Sequence, residues 1–164
     1  MLELYMIRHG PAGKTMEDGI NDDKRPLTKK GNEKMKDIAK ALRDQKISFD
    51  MILTSPLLRS METAEIVNDY CGATKEVTIT DLLIPGASCN NLIKFLNKFK
   101  EAKRIAIIGH EPFLSSFASY CISKNMTSLM KLKKGGILKV EINDTIRPGR
   151  CILSALMEPK HIIK

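Results

Sequence analysis

Two of the three histidines in this 164-residue chain, His9 and His110, stand beside a glycine at the end of a short apolar run. The runs are Leu4-Tyr5-Met6-Ile7, which leads into Arg8-His9-Gly10, and Arg104 to Ile108, which leads into Gly109-His110-Glu111-Pro112. An imidazole titrates near neutrality and can attack or carry a proton, and a glycine beside it lets a ligand approach the backbone closely. Arginine adds a second element. Arg8 precedes His9, and Arg59 lies four residues beyond Ser55, on the first turn of a helix opened by Ser55-Pro56. Two guanidinium forks near a helix N-terminus suit a tetrahedral oxyanion such as phosphate far better than a neutral ligand. His161, in the tail Pro159 to Lys164, has no such setting. No H-x-E motif, paired cysteines or carboxylates at ligand spacing accompany either glycine-flanked histidine, so the sequence implies no metal site and no cofactor.

These groups need elements that carry them to one place. Both apolar runs have the look of strands buried on two faces, as does Met51 to Thr54, and Val77 to Thr80 adds a further strand. Between them lie helical patterns. Thr28 can cap a helix with Met35, Ile38, Ala39 and Leu42 on its inner face, although Gly31 occupies the place where a capping box wants glutamate. The helix after Ser55-Pro56 should end at Gly72, Leu92, Ile93, Leu96 and Phe99 mark another helix, and Phe113, Phe117, Ala118 and Cys121 mark a fourth. Residues 81–89 should form a loop. Leu138, Val140 and Ile142 alternate with polar residues, and Cys151 to Leu156 can return antiparallel after the turn Arg147-Pro148-Gly149-Arg150. This alternation predicts an α/β three-layer sandwich over residues 1–164, one domain, with a mostly parallel sheet and an antiparallel C-terminal edge. In such sheets functional groups gather beyond the carboxyl ends of the strands, where Arg8-His9, Ser55 to Arg59 and His110 all fall.

Composition narrows the classes. With 43% hydrophobic and 28% charged residues the chain is neither a disordered polymer nor a run of membrane spans. Glu3 and the short apolar stretch Leu4 to Ile7 do not make a secretory signal, so a cytoplasmic, membrane-free protein is expected. Cys71, Cys89, Cys121 and Cys151 are widely spaced and are expected as reduced, buried apolar residues. The net charge of +8 is concentrated in residues 101–164, with 11 Lys and Arg against 5 Asp and Glu. Only 3 Tyr, 5 Phe and no Trp are available for base stacking, so solvated lysine faces or attraction for an anionic partner account for the charge better than nucleic acid does.

Taken in order, Leu4 to Gly10, Arg25-Pro26-Leu27-Thr28 with Gly31, Ser55-Pro56-Leu57-Leu58-Arg59-Ser60 with Thr63-Ala64, and Gly109-His110-Glu111-Pro112 resemble the motifs of the histidine phosphatase superfamily. The small size and the R-P-L-T run are similar to its SixA-like branch of phosphohistidine phosphatases. The resemblance implies a phosphoglycerate-mutase-like fold, with His9 as nucleophile and Arg8, Arg59 and His110 holding the phosphoryl oxygens. It implies a phosphorylated protein as substrate, with a histidine phosphotransfer-type domain as partner. The family often adds a carboxylate as general acid. Asp81 is the positional candidate and Glu111 the other, and neither has neighbours that make a convincing acid motif. A leaving imidazole needs protonation less than an alkoxide does, which favours phosphohistidine over alkyl phosphates. A phosphomonoesterase for a small metabolite and a silent phosphate-binding module are the alternatives.

Overall fold

The computed structural model describes residues 1–13, 21–72 and 76–163. Six strands form one sheet: β1 (Leu2–Arg8), β2 (Met51–Thr54), β3 (Thr78–Ile79), β4 (Arg104–Gly109), β5 (Ile137–Ile142) and β6 (Ile152–Met157), in the order β3-β2-β4-β1-β5-β6. The first four run parallel, while β5 lies antiparallel to β1 and β6 antiparallel to β5. The expected parallel sheet with an antiparallel C-terminal edge is the architecture found.

Alternation along the central strands divides the core into two layers. Leu4 and Met6 of β1 face α3 (Cys89–Leu96) and α4 (Phe113–Ser123), packing with Leu92, Leu96, Leu114 and Phe117. Tyr5 and Ile7 face α1 (Lys29–Asp44) and α2 (Leu58–Cys71), packing with Met35, Ile38, Leu42 and Val67. A short α5 (Pro159–Ile162) adds Ile162 to the second layer. Because both faces are covered, the apolar runs are continuous rather than alternating with polar residues. Each fully buried Leu or Ile contributes about 2 kcal/mol of transfer free energy, so these strands are anchored strongly enough to fix the residues at their carboxyl ends. All four cysteines are free and buried. Among the described residues no helix is long and apolar enough to cross a membrane.

Local signals hold in part. Thr28 caps α1, its hydroxyl accepting from the Gly31 amide at 2.9 Å, as its position in sequence suggests. Gly31 stands where glutamate was expected for a steric reason: a Cβ there would lie 2.0 Å from the Pro11 carbonyl oxygen. Gly72 ends α2 in the left-handed region, with φ +57°. Four expectations need correction. Ser55-Pro56 does not open α2, which begins at Leu58 without a side-chain cap. The third strand contracts to Thr78–Ile79, since only these residues find partners on β2. Phe99 lies beyond the end of α3 and packs on the core from the following turn. The expected loop 81–89 holds a turn of 3-10 helix at Asp81–Leu83.

Candidate active site

Parallel pairing carries the two glycine-flanked histidines to one sheet edge. The His9 amide donates to the Gly109 carbonyl at 3.1 Å, extending the β1–β4 ladder by one residue, and the Ser55 amide donates to the Ile108 carbonyl at 3.1 Å. His9 and His110 therefore sit side by side, ring centroids 5.1 Å apart, each almost wholly buried. Arg59, on the first turn of α2, is brought to the same place and is itself buried.

His9 is held in one tautomer. Its Nδ1 donates to the Gly10 carbonyl at 2.7 Å, which leaves the lone pair on Nε2. Arg59 Nε faces that nitrogen at 3.4 Å. Burial pushes the His9 pKa down, and His110, Arg59 and Arg8 add to the effect, so that it falls to about 3 despite the Gly10 hydrogen bond. His110 falls to about 4, first through burial and then through the Arg59 charge. Both imidazoles are thus neutral at physiological pH.

The supports of these groups are polar and local. Ser55 and Ser60 bring their hydroxyls to within 2.8 and 3.2 Å of His110 Nε2. This explains the late start of α2, because the Ser55 hydroxyl serves His110 and accepts from the Leu57 amide at 3.3 Å rather than capping a helix. Thr63 joins two segments, accepting from the Gly10 amide at 3.1 Å and donating to the Arg59 carbonyl at 2.7 Å. Arg8 Nη1 donates to the Leu132 carbonyl at 2.9 Å. Two buried nitrogens in the cluster, Arg8 Nε and His110 Nδ1, have no hydrogen-bond partner among the described residues. A buried donor without a partner is costly, and the Arg8 Nε–H is one that a phosphoryl oxygen can accept from.

The proposed acids fare differently from the basic residues. Asp81 is exposed on its 3-10 turn and makes no side-chain hydrogen bond to His9, His110, Arg8 or Arg59. Glu111 accepts from the Ser115 amide at 3.0 Å, closing the first turn of α4. Among the described residues, a carboxylate that does bond to the cluster is that of Asp22, which the sequence did not single out. Its Oδ2 accepts from Arg59 Nη2 at 3.1 Å and its Oδ1 from Arg25 Nη2 at 2.8 Å. Burial raises its pKa, but the charges of Arg59 and Arg25 and their hydrogen bonds outweigh that and hold it below the usual range. Asp22 sits in a run of charged residues with no periodicity, so only its spacing of three from Arg25 hinted at a role. Among the described residues no group of three or more His, Cys, Asp or Glu is placed to hold a metal ion.

A neutral imidazole with its lone pair directed at a guanidinium, beside a second imidazole and a second arginine, can accept a phosphoryl group and hold its oxygens. Comparison with known proteins agrees with that chemistry. The family model of the histidine phosphatase superfamily (branch 1) matches residues 4–84. An uncharacterised protein of Picosynechococcus sp. is 34% identical over 143 residues, covering 84% of this chain and 83% of that protein. The phosphohistidine phosphatase SixA of Escherichia coli is 26% identical over 115 residues, 69% of this chain and 70% of SixA. A solved structure of the protein histidine phosphatase SixA complexed with tungstate superposes with a TM-score of 0.85 at 22% identity, covering 97% of this chain and 98% of that one. With the ordered motifs, the sheet and these relatives in agreement, the chain belongs to the histidine phosphatase superfamily and resembles SixA within it.

Proposed function

We propose that the protein is a phosphatase that removes phosphate from phosphohistidine on another protein, through a phosphoryl group carried by His9. The His9 Nε2 lone pair attacks phosphorus. The substrate's N–P bond breaks with its electron pair going to the departing imidazole, which takes a proton from solvent. Arg8, Arg59 and His110 bind the phosphoryl oxygens, whose charge is the main thing to be stabilised in such a transfer. Water then attacks phosphorus, the bond to His9 breaks, and inorganic phosphate leaves.

The observation that carries the substrate class is the engagement of the carboxylates. Asp22 is held as an anion between two arginines, Glu111 is spent on the first turn of α4, and Asp81 is exposed and unconnected to the cluster. A group that leaves without a strong acid fits such a site, and imidazole, with a conjugate-acid pKa near ~6.5, is one. A protein substrate is supported by the surface beside Arg8. Residues 112–140 contain no Asp or Glu, and around the Arg8–Leu132 hydrogen bond the chain exposes Lys131, Lys133 and Lys134, of which Lys133 pairs with Glu158 at 3.0 Å. Such a rim would attract an acidic phosphoprotein, for example a histidine phosphotransfer-type domain. Phosphate release from a phosphohistidine protein, compared with aryl and sugar phosphates, tests the reading. We expect the phosphoprotein and aryl phosphates to be hydrolysed well and sugar phosphates poorly. A sugar phosphate with an equal kcat/KM would establish the metabolite reading instead.

A further inference from the structure

The Asp22 carboxylate is divided between two arginines, one oxygen to each. Oδ1 accepts from Arg25 Nε at 3.0 Å and Nη2 at 2.8 Å, and Oδ2 accepts from Arg59 Nη2 at 3.1 Å. The backbone carbonyl of the same residue accepts from Arg59 Nη1 at 2.9 Å. One residue therefore grips both terminal nitrogens of Arg59, and the remaining nitrogen, Nε, is the one that faces His9 Nε2 at 3.4 Å. A guanidinium is a rigid plane, so fixing two of its nitrogens fixes the direction of the third.

We propose that Asp22 is a positioning residue for phosphoryl transfer, clasping the far side of Arg59 so that the Nε side is held toward the phosphoryl group on His9. This role rests on the proposed function, in which Arg59 binds phosphoryl oxygens.

The frame behind Asp22 is continuous. Arg25 Nη1 donates to the Gly13 carbonyl at 2.6 Å, and the Arg25 amide donates to the Asp22 carbonyl at 3.2 Å, so Asp22 is tied to the chain that follows His9 and to its own 3-10 turn. The asymmetry of exposure argues for a purpose beyond charge pairing. The Arg59 side chain is 5% exposed and that of Asp22 44%. An ion pair with one half-exposed member adds little to stability, whereas orienting a long, rotamer-rich arginine removes freedom that phosphoryl transfer would otherwise have to overcome. The donor count shows why Asp22 need not leave when phosphate arrives. A guanidinium has five N–H donors; Asp22 takes two, Nε–H is turned to His9 Nε2, the atom that would carry the phosphoryl group, and one N–H on each terminal nitrogen has no partner among the described residues. Asp22 is thus a fixture of the site rather than a competitor of the substrate.

The test is a double-mutant cycle on full-length protein, with an aryl phosphate as the assay substrate. Asp22→Ala should lower kcat/KM about tenfold, mainly in kcat, because a misaligned donor fails in the transition state. In an Arg59→Ala background the same change should cost less than about twofold, since there is no arginine left to position. Asp22→Asn, which keeps the backbone grip and one side-chain acceptor, should fall between the wild type and Asp22→Ala and serves if the alanine variant does not fold. The idea is overturned by equal losses in both backgrounds, which would mark a structural role, or by unchanged or raised kcat/KM in Asp22→Ala, which would mark a competitor. Full activity in Arg59→Ala alone would overturn the phosphoryl-binding reading itself, and is distinguishable from the other failures.

Discussion

Burial of His9 as a neutral imidazole ties the stability of the protein to pH, and the size of the link comes from its environment. In the unfolded chain the ring titrates near 6.5, whereas burial, with His110 and the two arginines, lowers it to about 3 in the folded protein. Between those values the unfolded state binds a proton that the folded state does not, so stability falls as pH drops below 6.5 and continues to fall toward 3. At pH 5 the gap from 6.5 is worth about 2 kcal/mol. An asparagine at this position has no such proton. Urea unfolding of the wild type and of His9→Asn at pH 7, 6 and 5 should therefore show the wild type losing about 2 kcal/mol more than the variant on acidification from pH 7 to 5. Equal losses would mean that His9 is not buried neutral, and would remove the basis for treating its Nε2 as a free nucleophile at neutral pH.

Further outcomes are expected from the same geometry. Arg59→Ala and His110→Ala should each reduce the phosphoryl-transfer rate by about 100-fold or more, as expected for loss of one preorganised donor, with Arg25→Ala reducing it much less; steady-state kinetics on an aryl phosphate measures all three. Gly31→Ala should destabilise the protein by about 2 to 3 kcal/mol in urea unfolding, because its Cβ would lie 2.0 Å from the Pro11 carbonyl oxygen on unyielding backbone. Exhaustive EDTA treatment should leave phosphatase activity intact, since in the proposed mechanism Arg8, Arg59 and His110 supply the positive charge and hydrogen bonds for the phosphoryl oxygens; loss on chelation with recovery on adding a divalent ion would contradict this.

The sequence is most legible where a signal depends on neighbours along the chain. Apolar runs ending in Arg8-His9-Gly10 and Gly109-His110 declare strands with chemistry at their carboxyl ends, and the β1–β4 register brings those ends together. The cap at Thr28 and the stop at Gly72 are likewise local devices, readable from residue type. Legibility fails where a residue answers to a distant one. Ser55 looks like a helix cap, but the imidazole of His110, 55 positions away, claims its hydroxyl and delays α2 to Leu58. Gly31 looks like a defect in a capping box until the fold sets the Pro11 carbonyl against it. Asp22 is one acid among many in a charged stretch, and only the fold reveals that it lies against Arg59, 37 positions on.

His9 is the proposed carrier of phosphate, and trapping the phosphorylated protein tests that role most directly. Enzyme mixed with a protein bearing labelled phosphohistidine is quenched within its first turnovers, separated from substrate and digested. Label that is acid-labile, alkali-stable and confined to the peptide containing His9, and absent from His9→Ala, is the expected result. Equal labelling of His9→Ala, or label on another residue, would contradict it.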